Sequence, residues 1–276
     1  MAEKQINVTI SLNSLREELQ RSLQKAIYLV SAGLQTKDQI DPVLLRLPNN
    51  SITMTFHGGL RWDAEEVQKQ YSEWVLSNGF RDVIEGVSAF LESAHEVSSY
   101  WEIVGKQKDG EKITGSDWQK IVVSGKKRFH RLGLPDKFVH LSTEHDIEVE
   151  PKFSEQVLSI NISRNCLVHR GGVVTEKDIN NNNALEVKWT KLMMVLQSED
   201  GEKELELGKM IGKNSDLCMR NQEELKAFSI GEQIVFTTGE FANISWSLFL
   251  FGNDLVQKIS TVGLKNGFVN EPKESV

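Results

Sequence analysis

One stretch constrains the fold more than any other. Asp63-Ala64-Glu65-Glu66 reads as a capping box. A helical pattern follows it over roughly 64–105. Val67, Tyr71, Trp74 and Val75 lie on one side, and Phe80, Val83, Ile84, Val87, Phe90, Leu91 and Ala94 continue at steps of three and four. A helix of that length commits the chain to a mainly α-helical fold. Ser77-Asn78-Gly79 is expected to kink or break it.

Three more helices are legible. Ser14-Leu15-Arg16-Glu17 is a capping box, and Leu15, Leu19, Leu23, Ile27 and Val30 follow at helical spacing. Ser116-Asp117-Trp118-Gln119 opens a helix with a stripe of Trp118, Ile121, Val122, Gly125, Phe129 and Leu132, stopped near Gly133-Leu134-Pro135. Residues 153–169 form another, closed by Gly171-Gly172. Residues 136–152 between them read as a short helix or turn and an acidic loop. The aromatics Trp74, Phe80, Phe90, Trp118 and Phe129 fall on these stripes and are expected in the core.

The texture then changes. After the four asparagines 180–183, the segments 185–197 and 203–210 alternate around Asp200-Gly201, the pattern of a β-hairpin. Ile230-Gly231-Glu232 suggests a turn and Gln233–Phe236 a short strand. A last, strongly apolar helix spans about 240–262. Short strands are also expected at 6–10 and 51–56, with a loop marked by Pro42 and Pro48. The organisation is an N-terminal strand and helix extension over 1–58, a helical domain over 59–264 with a β insertion at about 185–237, and a polar tail over 265–276.

Composition narrows the function. With 276 residues, 32 Lys+Arg and 39 Asp+Glu, the net charge of −7 disfavours a general polyanion-coating protein and leaves room for a local basic patch. Trp246–Phe251 is the richest apolar run, and Gly252-Asn253-Asp254 stops it well short of a membrane span. Glu3 and the lack of an apolar core argue against a secretory signal at the N-terminus. Two cysteines, Cys166 and Cys218, make neither a disulfide framework nor a four-cysteine zinc site, and a cytoplasmic setting is the simplest reading. The phosphate-loop patterns GxGxxG and GxxxxGK[ST] and the motif His-Glu-x-x-His are absent.

The candidate chemistry sits at the end of the 153–169 helix. Arg164, Asn165 and His169 suit phosphodiester chemistry: His moves a proton near neutral pH, Arg holds phosphate oxygens and the charge that builds on them, and Asn orients a hydroxyl or phosphate oxygen. Asn165 and His169, four apart, share a helical face. Arg164 and His169 are five apart, about 140° around an ideal helix, so either the long Arg side chain reaches round or a second copy supplies the missing group. The plain alternative is a helix end whose Arg170 and His169 face the helix dipole.

The run Arg164-Asn165-Cys166-Leu167-Val168-His169-Arg170-Gly171-Gly172 resembles the R-N-x-x-x-H signature of HEPN domains, all-helical modules of prokaryotic conflict systems. The stretch Phe129–Lys137, the helix leading into Arg164, the long earlier helix and the final helix extend the resemblance over roughly 60–264. It implies an antiparallel helical bundle with a small β-hairpin insertion before the last helix. It also implies a homodimer in which two motif helices face each other. The implied activity is that of a metal-independent endoribonuclease of toxin or phage-defence type, with 2′-hydroxyl attack leaving 2′,3′-cyclic phosphate ends. His169 would transfer the proton, Arg164 would clamp the phosphate and Asn165 would assist. RNA and an antitoxin or defence-system protein are the implied partners, with no cofactor and no metal. The alternatives are a non-catalytic HEPN module that binds RNA, a nucleotide or a protein, and a structural dimerisation protein.

Two further clusters stand out. Lys126, Lys127, Arg128 and Arg131, with Lys137 and His140 beyond, reverse the sign of the chain locally; they form either an RNA-binding patch or the solvated face of their helix. His140 and His145 lie near Glu144, Asp146, Glu148 and Glu150. Their spacing of five departs from the i, i+4 pairs that bind zinc on helices, and the segment reads as an exposed acidic loop. Cys166 reads as a small core residue.

Overall fold

The computed structural model describes residues 11–37, 45–46, 53–54, 63–108, 110, 112–198, 201–205 and 216–268. The strand expected at 6–10, the prolines 42 and 48 and the tail beyond 268 lie outside them. Part of the 51–56 expectation is seen: β1 (Leu45–Arg46) and β2 (Thr53–Met54) pair antiparallel.

Helix α1 (Leu12–Thr36) starts slightly before the expected capping box. Ser11 is the N-cap, without a side-chain cap bond, and Ser14 falls inside the first turn. Of the expected stripe, Leu15, Leu19, Leu23 and Val30 are buried and Ile27 is half-buried, with Ala26 taking the place beside it in the core. Helix α2 (Ala64–Lys108) is a single rod of 45 residues. At its start Asp63 Oδ1 accepts the Glu66 N–H at 2.8 Å.

The expected break at Ser77-Asn78-Gly79 does not occur. Asn78 Nδ2 instead donates to the Trp74 carbonyl one turn back, at 2.7 Å. At Gly79, both α1 and the final helix, α7 (Thr238–Lys265), pack against α2. A Cβ there would fall 2.3 Å from Val30 Cγ2 and 3.0 Å from Phe241 Cζ. The missing side chain costs about 1 kcal/mol of helix propensity, and the tight packing of three helices offsets it. Gly252 of α7 does the same for Leu19, whose Cδ2 lies 2.3 Å from its Cβ position.

These contacts fix the direction of the long helices. Gly33 meets Val75, Val30 meets Gly79 and Ser22 meets Gly86, so α1 runs antiparallel to α2. Phe241 packs on Phe80 and Phe251 on Phe90, so α7 runs parallel to α2. Helix α6 (Pro151–His169) runs antiparallel to α7: Glu150, its N-cap, meets Lys258, and its Gln156 reaches Ser247 through Thr190. Consecutive long helices thus alternate in direction. Residues of α1 enter the same core as those of α2, α6 and α7.

Between α2 and α6 the chain forms a three-part strut. Helix α3 (Gly115–Trp118) passes into a π segment (Gln119–Ser124) and then α4 (Gly125–His130). Its cap is Thr114 rather than Ser116: Asp117 N–H donates to Thr114 Oγ1 at 3.3 Å, and Asp117 Oδ2 accepts the Thr114 N–H at 2.8 Å. Then α5 (Leu134–His145) is a full helix of 12 residues, with Pro135 in its first turn. Of the short helix or turn and acidic loop expected over 136–152, the helix is found, and the acidic stretch 146–150 follows it outside any helix.

The β insertion is larger than a hairpin. Strands β3 (Ala184–Ser198), β4 (Gly201–Glu204) and β5 (Asp216–Ser229) form an antiparallel sheet in the order β4-β3-β5. The β3–β4 turn brings Ser198 opposite Gly201, whose φ of 108° only glycine adopts readily. Strand β5 was not legible because it is an edge strand exposed along most of its length. The strand expected at 233–236 reduces to one bridge, Val173 with Gln233. Leu185, Val187 and Trp189 of β3 are buried against α6 and α7. A polar seam pins this layer. Thr190 N–H donates to Ser247 Oγ, Gln156 Nε2 donates to Thr190 Oγ1 at 3.0 Å, and Lys188 N–H donates to Ser159 Oγ at 3.0 Å.

Of the aromatics expected inside, Phe80, Phe90 and Phe129 are fully buried, whereas Trp74 is 63% exposed and stacks on Tyr71 at the surface. Among the described residues no helix is long and apolar enough to cross a membrane.

Candidate functional site at the end of helix α6

Helix α6 stops abruptly. Gly171 and Gly172 take φ values of 61° and 77°, and the Gly172 N–H returns to the Cys166 carbonyl at 3.1 Å. A buried ion pair holds the turn. Asp178, with no solvent exposure, accepts Arg170 Nε at 2.9 Å and makes a second contact with Arg170 Nη2. The Thr175 backbone N–H and hydroxyl add bonds at 2.9 and 2.8 Å. Burial pushes the Asp178 carboxyl up, and the bonds from Arg170 and Thr175 overcome it, leaving it below the usual carboxylate range. Arg170 is therefore committed to the fold.

Arg164, Asn165 and His169 lie on the turns that this lock positions. Arg164 and Asn165 are half-buried and His169 is exposed. The guanidinium does reach round the helix. Arg164 Nη1 donates to Asn165 Oδ1 at 3.0 Å and stands 3.5 Å from His169 Nε2. Arg164 thus spans the angular gap, meeting both Asn165 and His169. Arg164 Nε is buried and meets no acceptor among the described residues. A guanidinium has five N–H donors, and here only Nη1 finds acceptors among the described residues. Arg164 thus keeps donor capacity for an anion. With Arg164 donating toward it, Nε2 of His169 is placed as the unprotonated ring nitrogen, the form that accepts a proton. Cys166, between them in sequence, is buried as expected. Burial and then Asp178 push its thiol up to about 11, so it packs and is no nucleophile.

The basic cluster lies elsewhere. Helix α4 rests on α2 and on the π segment, with no substantial packing against α6. Lys126 is paired with Glu96 at 2.6 Å. Lys127, Arg128 and Arg131 are exposed and make no salt bridge among the described residues. Lys137 is no part of a basic surface. It is 2% exposed and held by Glu92 at 2.8 Å and Ser88 Oγ at 2.6 Å, above the Phe129 ring.

The histidines are rearranged most relative to expectation. His140 and His145 sit on α5, not on an exposed acidic loop, and α2 contributes His95 beside them. Each of the three offers a ring nitrogen within 4.8 Å of the others, and His95 Nδ1 lies 2.9 Å from His145 Nε2. His95 is 3% exposed and stacks on Phe129 with ring centroids 4.4 Å apart. In the sequence His95 sits at a helical core position far from the other two, so spacing gave no sign of it.

No family model, no curated protein and no solved structure matches this chain. Function is therefore read from the chemistry of the site itself.

Proposed function

We propose that this protein is a metal-independent endoribonuclease of the HEPN type, acting in toxin or phage-defence systems in the cytoplasm. The observation that carries the reading is the placement of the Arg164 guanidinium between Asn165 Oδ1 and His169 Nε2 on an accessible helix end. His169 Nε2 takes the proton from an RNA 2′-hydroxyl, and that oxygen forms a bond to the adjacent phosphorus. Arg164 neutralises the charge that grows on the non-bridging oxygens. The bond to the 5′-oxygen breaks, leaving a 2′,3′-cyclic phosphate. The departing oxygen needs a proton that the same imidazole cannot give in the same step. A second copy of the chain, with its own motif helix facing the first, supplies it, so a homodimer completes the site. The exposed Lys127, Arg128 and Arg131, with Lys126, give the RNA a place to bind outside the cleavage site. An antitoxin or another defence protein would restrain the activity.

The test is cleavage of total RNA by the purified protein in excess EDTA. Wild type should cut and leave 2′,3′-cyclic ends, and His169→Ala should cut at least about 100-fold more slowly. Strict dependence on a divalent metal, or equal cutting by His169→Ala, would overturn the mechanism. Salt-dependent RNA binding without turnover, weakened by changing Lys127 and Arg128, would instead make the chain a binding module. Light scattering that finds a stable monomer at micromolar concentration would remove the composite site.

A further inference from the structure

The three histidines form a second site, independent of the one on α6. His145 closes α5 shortly before α6 begins, whereas Arg164 lies near the other end of α6, about 20 Å along it at 1.5 Å per residue. We propose that His95, His140 and His145 bind a divalent transition metal, with zinc the ion that best suits three imidazoles and a fourth position open to water.

The geometry is close to what zinc requires. Zn–N bonds of about 2.0–2.1 Å in a tetrahedron place ligand nitrogens about 3.4 Å apart. The three nitrogens here lie within 4.8 Å of one another, and the nearest pair is at 2.9 Å. Small rotations of the rings, about 1.5 Å at most, would complete the set. The scaffold limits larger ones: His95 is clamped face to face on Phe129, and the His140 ring meets Phe129 edge-on.

The surroundings suit a ligating form. The Gly125 backbone lies beside His95 Nε2, at a geometry too poor for a formed hydrogen bond; a small rotation would let Nε2–H donate to that carbonyl while Nδ1 faces the metal. Of the charged groups around the cluster, Arg128 opposes a cation, while Glu144 beside His140 and Glu96 beside His95 favour one. A cluster serving only as packing would have little reason to leave the buried His95 Nε2 without a partner and to face His95 Nδ1 with His145 Nε2 alone.

The test uses full-length protein stripped with EDTA and desalted. Zinc is added back against a chromophoric chelator, and cobalt(II) is added in parallel as a spectroscopic probe. The proposal predicts one zinc per chain, an intense visible cobalt spectrum of four-coordinate type and a rise in Tm on zinc addition. His140→Ala and His145→Ala should weaken zinc by more than the roughly 10–100-fold that losing an outer-sphere partner costs. His140 is half-buried, and circular dichroism checks that His140→Ala keeps the fold. Zinc lost on desalting with a pale six-coordinate cobalt spectrum would overturn the proposal. So would equal zinc affinity in wild type and His140→Ala; the cluster would then be a hydrogen-bonded histidine stack and no metal site.

Discussion

Lys137 holds its ammonium 2.8 Å from the Glu92 carboxylate while only 2% of its side chain meets solvent. Glu92 also accepts His130 Nδ1 at 3.0 Å. Burial raises the Glu92 carboxyl, and the bonds from Lys137 and His130 bring it below its ordinary value. Removing one partner strands the other. Glu92→Ala should lower the unfolding free energy by roughly 3 kcal/mol, read from the urea midpoint, and Lys137→Met should cost clearly less. Equal losses would mean that the pair is a net stabiliser rather than a desolvated charge with its partner.

Arg164→Lys separates charge from shape at the proposed cleavage site. Lysine keeps the positive charge but has neither the planar fork that meets two phosphate oxygens nor the reach round to His169. RNA cleavage by this variant should fall nearly as far as in Arg164→Ala, with Tm within about 2 °C of wild type. Wild-type turnover in Arg164→Lys would reduce the role of Arg164 to simple charge neutralisation.

Stability should fall on mild acidification. Burial, then His145 and His140, push the His95 ring down to about 4, and burial with His140 does the same to His145. In the unfolded chain both titrate near 6.5. Between those values the unfolded state binds more protons, so the stabilisation is complete above pH 6.5 and is lost as pH falls toward 4. In metal-stripped protein, Tm should drop by on the order of 5 °C from pH 7.5 to 5.0. His145→Ala should flatten that slope. An unchanged slope would place the acid sensitivity elsewhere.

The glycines make a fourth comparison. Gly79→Ala forces a methyl against Val30 and Phe241 and should cost about 1–3 kcal/mol. Gly115→Ala opens into free space on the first turn of α3 and should be neutral or slightly stabilising. Thermal melts of the two variants check the contrast.

The same glycine shows where the sequence was legible and where it was not. Hydrophobic spacing located α1, α2 and α7, because each buries one apolar stripe of helical period, and the end of α6 was marked by Gly171-Gly172. The reading stumbled where tertiary contact decides the role of a residue. Gly79 reads as a helix breaker, and only the neighbouring Val30 and Phe241 reveal it as a packing seat. Trp74 falls on an apolar stripe, yet among the described residues it is 63% exposed while its neighbour Val75 is buried. Strand β5 carries charges on both faces and announces itself only through its partner β3. At the candidate site, the types and order of Arg164, Asn165 and His169 were visible and the reach of Arg164 round the helix was one of two open alternatives, while its bond to Asn165 was not legible. His95 could not be tied to His140 and His145 at all, since 44 residues separate His95 from His140 and only the packing of α5 against α2 brings them together.

The π segment before α4 carries a further consequence. A π turn holds one more residue than an α turn, so Gln119–Ser124 behaves as a single-residue insertion absorbed without breaking the rod. An α-helix advances about 100° per residue, so that surplus resets the rotational phase of everything after it. Deleting one residue there would leave a regular helix and turn Phe129 about a quarter-circle away from His95. The aim of an aromatic ring at a buried histidine, and with it the shape of the three-histidine cluster, is thus set by a counting irregularity upstream of both Phe129 and the α5 histidines.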